Sequence, residues 1–344
     1  MVSDNVYTAS APHKIILFGE HAVVHGRLGI AGAIDKRVII TAKHCEDGIK
    51  CVDLLGINNF NSNRNELTEL LTKFQQMLEL KKYDEIKKLS FSEAIKIVIA
   101  ATLERLGWSD VEIEIHRRDI LKGIGGSAAI WAATVTALGA LLGKPLTKEQ
   151  INELAYLGDV VAHGGTPSGI DNSVVTYGGY ISYTKATGPK PLAIKFELPL
   201  IVVDSGEPAN TCVTVPYVRE QLAKDPERVN AIFDNLHNIS EGALVALEEK
   251  NLQRIGELMT QYYEELRKLN ISTQNLDKIV NIALTHGAIG AKPTGGWGGG
   301  VCIVLAKDTS SAKELIKIFD KNNFKAFIAK LGAEGVRLEE NKCS

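Results

Sequence analysis

The run Lys122-Gly123-Ile124-Gly125-Gly126-Ser127-Ala128-Ala129 lies between an alternating, strand-like segment and a long apolar stretch. Backbone N–H groups at a helix start attract anions, because the unpaired donors and the helix dipole point the same way. Glycine lets that backbone approach a ligand closely and take the positive-φ turns that a Cβ would block. Phosphate binding is the chemistry on offer; a tight strand-to-helix turn is the plainer alternative, because a lone glycine motif is weak evidence. Charged residues stand elsewhere in similar settings. Lys14 follows Pro12 in an apolar run, with Glu20-His21 shortly after it. Asp159 and His163 are four apart and share a helix face, and Asp171 ends a second glycine-rich loop, Gly164-Gly165-Thr166-Pro167-Ser168-Gly169-Ile170-Asp171. Each has an ordinary reading too: a strand-edge lysine, a solvated helix face, an Asx turn.

Three familiar chemistries drop out on spacing. Gly139-Ala140-Leu141-Leu142-Gly143-Lys144 is one residue short of a P-loop, and Pro145 replaces the hydroxyl that would hold magnesium. Gly123-x-Gly125-x-x-Ala128 formally fits the dinucleotide fingerprint, but a second helix follows the first where a strand and an acidic residue are needed. In Glu20-His21 with His25 the glutamate precedes the first histidine, so this is not a zinc-protease helix.

The elements that must hold these residues read as a mixture. Residues 5–18 alternate as short strands, Val38 to Ala42 is a strand, and 57–64 is an asparagine-rich loop. Helical spacing runs from Glu66 to Leu80 and from Phe91 to Leu106; Val111 to His116 alternates strictly and leads into the glycine run. Ala128 to Leu142 is apolar nearly all round, a buried helix ended by Gly143 and Pro145. Thr147 caps the next helix with Gln150 at the capping-box position, and it runs to about His163. Strand pieces follow near Tyr180 to Tyr183, then a strand at Leu200 to Asp204 and three or four helices between Val215 and His286. The glycine cluster at 295–300 opens a strand, Val301 to Leu305, before a helix and a last strand near Lys325 to Leu331. No regular βαβ repeat appears, so the fold class is α+β, in two domains divided near residue 188 (1–188 and 189–344).

The chain has 344 residues, 45% of them apolar, and a formal charge of −2. That leaves no basic field for nucleic acid or an anionic membrane. Five scattered cysteines without a CxxC pair fit reduced thiols, and no apolar run approaches a membrane span or a secretion signal, so a cytoplasmic location is expected.

Taken together, the pieces are similar to one family. Ser10-Ala11-Pro12-His13-Lys14-Ile15-Ile16-Leu17-Phe18-Gly19-Glu20-His21-Ala22-Val23-Val24-His25-Gly26 closely resembles the first motif of the mevalonate kinases, a branch of the GHMP kinases (galactokinase, homoserine kinase, mevalonate kinase, phosphomevalonate kinase). The glycine run resembles that family's phosphate loop, His163 to Asn172 its substrate-aspartate motif, and Lys292-Pro293-Thr294-Gly295-Gly296-Trp297-Gly298-Gly299-Gly300 its third motif. The motifs fall in order from residue 10 to residue 300.

The resemblance implies a ribosomal-protein-S5-like N-terminal domain, a ferredoxin-like C-terminal domain and an active site in the cleft between them. It implies ATP over Lys122, Gly123, Gly125, Gly126, Ser127 and Ala128, with Mg²⁺ on Ser127 and on Asp159, which stands where a glutamate is usual. It makes Asp171 the residue that accepts or orients the acceptor hydroxyl and Lys14 its cationic neighbour, with Glu20, His21 and Asp171 binding the substrate. The apolar Ala22-Val23-Val24 suits a branched, methyl-bearing acceptor, and no additional cations for a phosphorylated one stand out in the motifs, so mevalonate is the expected acceptor. Another GHMP small-molecule kinase or a catalytically weak ATP-binding relative is the alternative, and a homodimer is implied by resemblance alone. Four departures are visible: His13 where glycine is usual, Gly126 in place of one of two serines, an additional glycine at Gly164-Gly165, and Trp297 where glycine is usual.

Overall fold

The computed structural model describes residues 5–116, 124, 126–209 and 211–340. The chain begins with a long strand, β1 (Tyr7–Phe18), then β2 (Gly29–His44), β3 (Ile49–Asp53) and β4 (Phe60–Ser62). Helices α1 (Arg64–Glu79), α2 (Tyr83–Ile86) and α3 (Phe91–Leu106) lead to β5 (Val111–His116). Next come α4 (Gly126–Leu141), α5 (Lys148–Ala162), α6 (Ile170–Tyr177), β6 (Tyr180–Thr184) and β7 (Gly188–Leu192). Then β8 (Leu200–Asp204) precedes α7 (Thr211–Lys224), α8 (Pro226–Glu248), α9 (Leu252–Arg267) and α10 (Gln274–Thr285). The chain continues through β9 (Gly290–Thr294), β10 (Val301–Leu305), α11 (Thr309–Lys321), β11 (Ala326–Ala329) and β12 (Arg337–Leu338).

The strands form two sheets. The first has the order β12-β1-β2-β5-β3-β4, with β6 and β7 attached beside β2; the second is β11-β8-β10-β9. In the first sheet β3 and β5 run parallel, while β2 pairs antiparallel with both β1 and β5. The first sheet draws on residues 7–192 and recovers residues 337–338 at its edge, where β12 pairs with β1. The second sheet lies wholly between residues 200 and 329. The two sheets with their helices give the two-domain α+β organisation that the sequence leads one to expect.

Local sequence accounts for most of these elements. Asn63, Ser90 and Thr147 each cap a helix in a reciprocal capping box with Glu66, Glu93 and Gln150. Leu67, Leu71, Phe74 and Met77 place one buried stripe on α1, whereas α4 is buried nearly all round beneath the first sheet. Three expectations change. The segments at 5–18 are one 12-residue strand, because Pro12 sits at a bulge that the β1–β2 pairing absorbs between Pro12 and His13. The 57–64 loop contains β4, which pairs with β3. Asp171 is not on a loop: it lies in the first turn of α6, after Gly169 at φ 89°. That eight-residue helix, rich in β-branched and small polar residues, carries little helical signal of its own.

β1 crosses from one core to the other. Its Ala9 and Ala11 pack in the core under the first sheet, while Ile15, Leu17 and Phe18 pack in the core around the second sheet. Lys14 sits at that crossover.

Candidate active site

Four elements converge on Lys14. Its ammonium lies 2.7 Å from Asp171 Oδ1, with only 5% of the lysine side chain and 17% of the aspartate side chain exposed. The strand bulge directly before it re-aims the side chain, a common use of bulges beside functional sites. The backbone N–H of Lys14 donates to the carbonyl of Ile124 at 3.1 Å, which ties β1 to the turn before α4. His163, at the C-terminal end of α5, places Nε2 3.9 Å from Asp171 Oδ2. The His163 Nδ1–H donates to the Asp159 carbonyl at 3.0 Å, which sets the ring's orientation.

The two aspartates are held in opposite states. Burial alone would raise Asp171, but the charges of Lys14 and His163 and the hydrogen bond from Lys14 outweigh it and leave the carboxyl below its ordinary range. Burial dominates at Asp159 and pushes it up to about 7, with Asp171 adding repulsion. Asp159 Oδ2 accepts the Asn172 N–H at 3.1 Å, while its buried Oδ1 has no partner among the described residues. A carboxylate with one buried oxygen unsatisfied fits a cation that arrives with the ligand. No group of three or more acidic, histidine or cysteine side chains poised for a metal occurs among the described residues. Magnesium needs none, since it takes one or two carboxylates and fills its shell with phosphate and water. Asp159 can come this close to the first domain's core because its neighbour is Gly158: a Cβ there would lie 2.6 Å from the Trp131 ring of α4.

Of the expected phosphate cradle, Gly126, Ser127 and Ala128 form the first turn of α4, while Lys122, Gly123 and Gly125 lie outside the described residues. The first N–H groups of a helix have no earlier helical carbonyls to bond, which is what an anion site requires. Glu20 and His21 turn inward. Glu20 is fully buried in an ion pair with Lys292 of β9, and its Oε2 has no partner among the described residues. His21, at φ 59°, places Nε2 3.1 Å from the Gly296 carbonyl, and burial lowers its pKa to about 4. Ala22 and Val23 are buried as well, and Val24 is half-buried. Lys292 and His163 stand in the motifs without a legible role along the chain, because their partners, Glu20 and Asp171, come from distant or differently folded segments.

Comparison with known proteins settles the lineage. The family description "GHMP kinases N terminal domain" matches residues 93–179, and "GHMP kinases C terminal" matches residues 243–326. A mevalonate kinase of Thermococcus gammatolerans is 33% identical, the match covering 96% of this chain and 98% of that protein. The chain belongs to the GHMP kinases. Among the solved structures, this GHMP kinase resembles the mevalonate kinase of Methanococcus jannaschii at a TM-score of 0.76 and 29% identity, covering 96% of this chain and 98% of the other. An L. major mevalonate kinase solved with R-mevalonate superposes at 0.76 with 26% identity, covering 97% and 99%. The phosphomevalonate kinase of Streptococcus pneumoniae, at 15% identity and a TM-score of 0.72 over 95% and 100% of the chains, shares the fold. The chain is therefore a phosphotransferase of this family and a homologue of mevalonate kinases.

Proposed function

We propose that this GHMP kinase transfers the γ-phosphoryl group of ATP to the 5-hydroxyl of mevalonate, giving 5-phosphomevalonate for isoprenoid synthesis. The observation that carries the reading is the buried Lys14–Asp171 pair beside the start of α4. Phosphoryl transfer asks chiefly for positioning and charge neutralisation. In this reading Asp171 orients the acceptor hydroxyl, and Lys14 lowers the cost of negative charge developing on it. An Asp171 held below its ordinary range is a weak base, so it takes the proton late, once the bond to phosphorus is forming. Gly126, Ser127 and Ala128 supply the α4 end of the phosphate cradle. Ser127 and Asp159 would hold Mg²⁺, which when bound screens the phosphate charge.

A second acceptor deserves its own arm of the test. Arg219 of α7 donates to Thr166 Oγ1 at 2.5 Å, beside the turn into α6. Arg219, Lys185 and Arg27 together depress the half-buried His25, after burial itself. Arg27 is already paired with Asp234, while Arg219 and Lys185 lie outside the motifs and suit an anionic acceptor, either the carboxylate of mevalonate or the phosphate of phosphomevalonate. Full-length likeness to mevalonate kinases favours the former.

The test is a coupled ADP-release assay with mevalonate, phosphomevalonate, galactose and homoserine side by side. Turnover with mevalonate alone is expected, and Lys14→Met and Asp171→Asn are each expected to lower kcat by about three orders of magnitude. Turnover with phosphomevalonate in place of mevalonate moves the protein to the second acceptor. Near wild-type turnover in folded Asp171→Asn overturns the site.

A further inference from the structure

His13 and Gly126, two positions at which the sequence departs from its family's pattern, touch each other. An ideal Cβ built on Gly126 would lie 3.1 Å from His13 Cε1 and 3.7 Å from Nδ1, so the imidazole covers the first residue of α4. The same ring places Nδ1 3.2 Å from the carbonyl of Ile124, 111 residues away. A carbonyl only accepts, so Nδ1 carries the proton and donates. Lys14 donates its backbone N–H to that same carbonyl at 3.1 Å. Two neighbouring residues of β1 therefore grip one carbonyl at the turn into α4, and the ring closes over the next described residue of that turn. His13 is wholly buried, and its Nε2 has no partner among the described residues. A buried ring nitrogen without a partner costs stability, which sets a penalty against the bond that Nδ1 makes.

We propose that His13 is a positioning residue for the nucleotide: it fixes the start of α4 relative to Lys14, and its ring takes the space a side chain at position 126 would fill. The consequence is that position 126 must lack a side chain while His13 is present. Gly126 is helical with ordinary φ, so alanine there is opposed by the imidazole and not by the backbone. The proposal rests on reading the α4 start as the nucleotide's phosphate site.

Isothermal titration with ADP plus magnesium, and separately with adenosine, tests it on the intact protein, with thermal midpoints and the acceptor KM measured alongside. His13→Ala is expected to weaken ADP up to about tenfold, the upper end for one ordinary hydrogen bond, with adenosine binding and acceptor KM unchanged. His13→Asn keeps a donor near the Nδ1 position and is expected to recover most of that loss. Gly126→Ala is expected to weaken ADP in the wild-type background and to be neutral or helpful beside His13→Asn, where it fills vacated space. An asparagine no better than alanine, or a Gly126→Ala effect equal in both backgrounds, overturns the proposal. So does an equal loss for adenosine and ADP. Wild-type protein that fails to bind ADP at all instead brings down the kinase reading beneath it.

Discussion

Asp159 and Asp171 both feel the charge of Lys14, yet one is pushed up to about 7 and the other held down. The difference is direct contact: Asp171 receives the ammonium at 2.7 Å, and Asp159 receives one backbone N–H. Such divergence between neighbouring carboxylates suits the two different roles proposed for them, Asp159 for a metal and Asp171 for the acceptor hydroxyl. The pH dependence follows with a definite sign. Below the ordinary aspartate value of 3.8, Asp159 is protonated in folded and unfolded chains alike. Between there and about 7 only the folded chain keeps the proton, so the metal-free protein loses stability as pH rises, and above about 7 that loss is complete. Asp159→Asn has no such proton to lose. Urea midpoints of wild type and variant, without metal, should therefore diverge in the variant's favour from about pH 4 to about pH 7. A gap that stays constant across that range contradicts the assignment.

At the scale of elements, the site depends on α4 and α5 lying close together. Trp131, four residues beyond Ser127 on α4, lies flat against Gly158 of α5 and also meets the Phe91 ring at 4.9 Å. The residue after Gly158 is Asp159, so the helix approach that the glycine permits is also what carries the carboxylate inward. Gly158→Ala forces α5 or the indole to move and should cost about 1–3 kcal/mol in denaturant unfolding. Its more specific effect should be a raised magnesium requirement for ADP binding, because Asp159 moves with its helix. Lost stability with an unchanged magnesium requirement would show that the contact serves packing only.

Across the whole molecule, Glu20 and Lys292 join the end of β1 to β9 of the second sheet. The pair is completely buried, and Tyr262 of α9 reinforces it, accepting the Gly19 N–H at 3.0 Å and donating to the Glu20 carbonyl at 3.1 Å. Thr294 adds a bond from β9 to the Ile16 carbonyl at 2.8 Å. Burial pushes Glu20 up and Lys292 down, and their mutual attraction opposes both shifts. Removing one partner strands a buried charge, so Lys292→Met should lose about 3–5 kcal/mol of stability. Glu20→Gln together with Lys292→Met removes both charges and should recover most of that loss in urea unfolding. A double variant as unstable as the single one argues against an ion pair at this junction.

The sequence by itself determined a good deal of this protein. Capping boxes, strict alternation in β5, the all-apolar α4 and the ordered motifs placed most elements and marked Lys14, Asp159 and Asp171, because periodicity and caps are local properties. Only the tertiary structure decided which of these side chains meet. The continuity of β1 depends on β2 pairing around a bulge, and α6 forms although its residues favour it weakly. Lys292 is one of many lysines until β9 brings it to Glu20, and His13 is an oddity in a motif until its ring is seen over Gly126. Contacts across more than a hundred residues leave no periodic trace along the chain. They follow from strand order and packing, where the free energy of burying a charge or a ring depends on what the rest of the fold brings beside it.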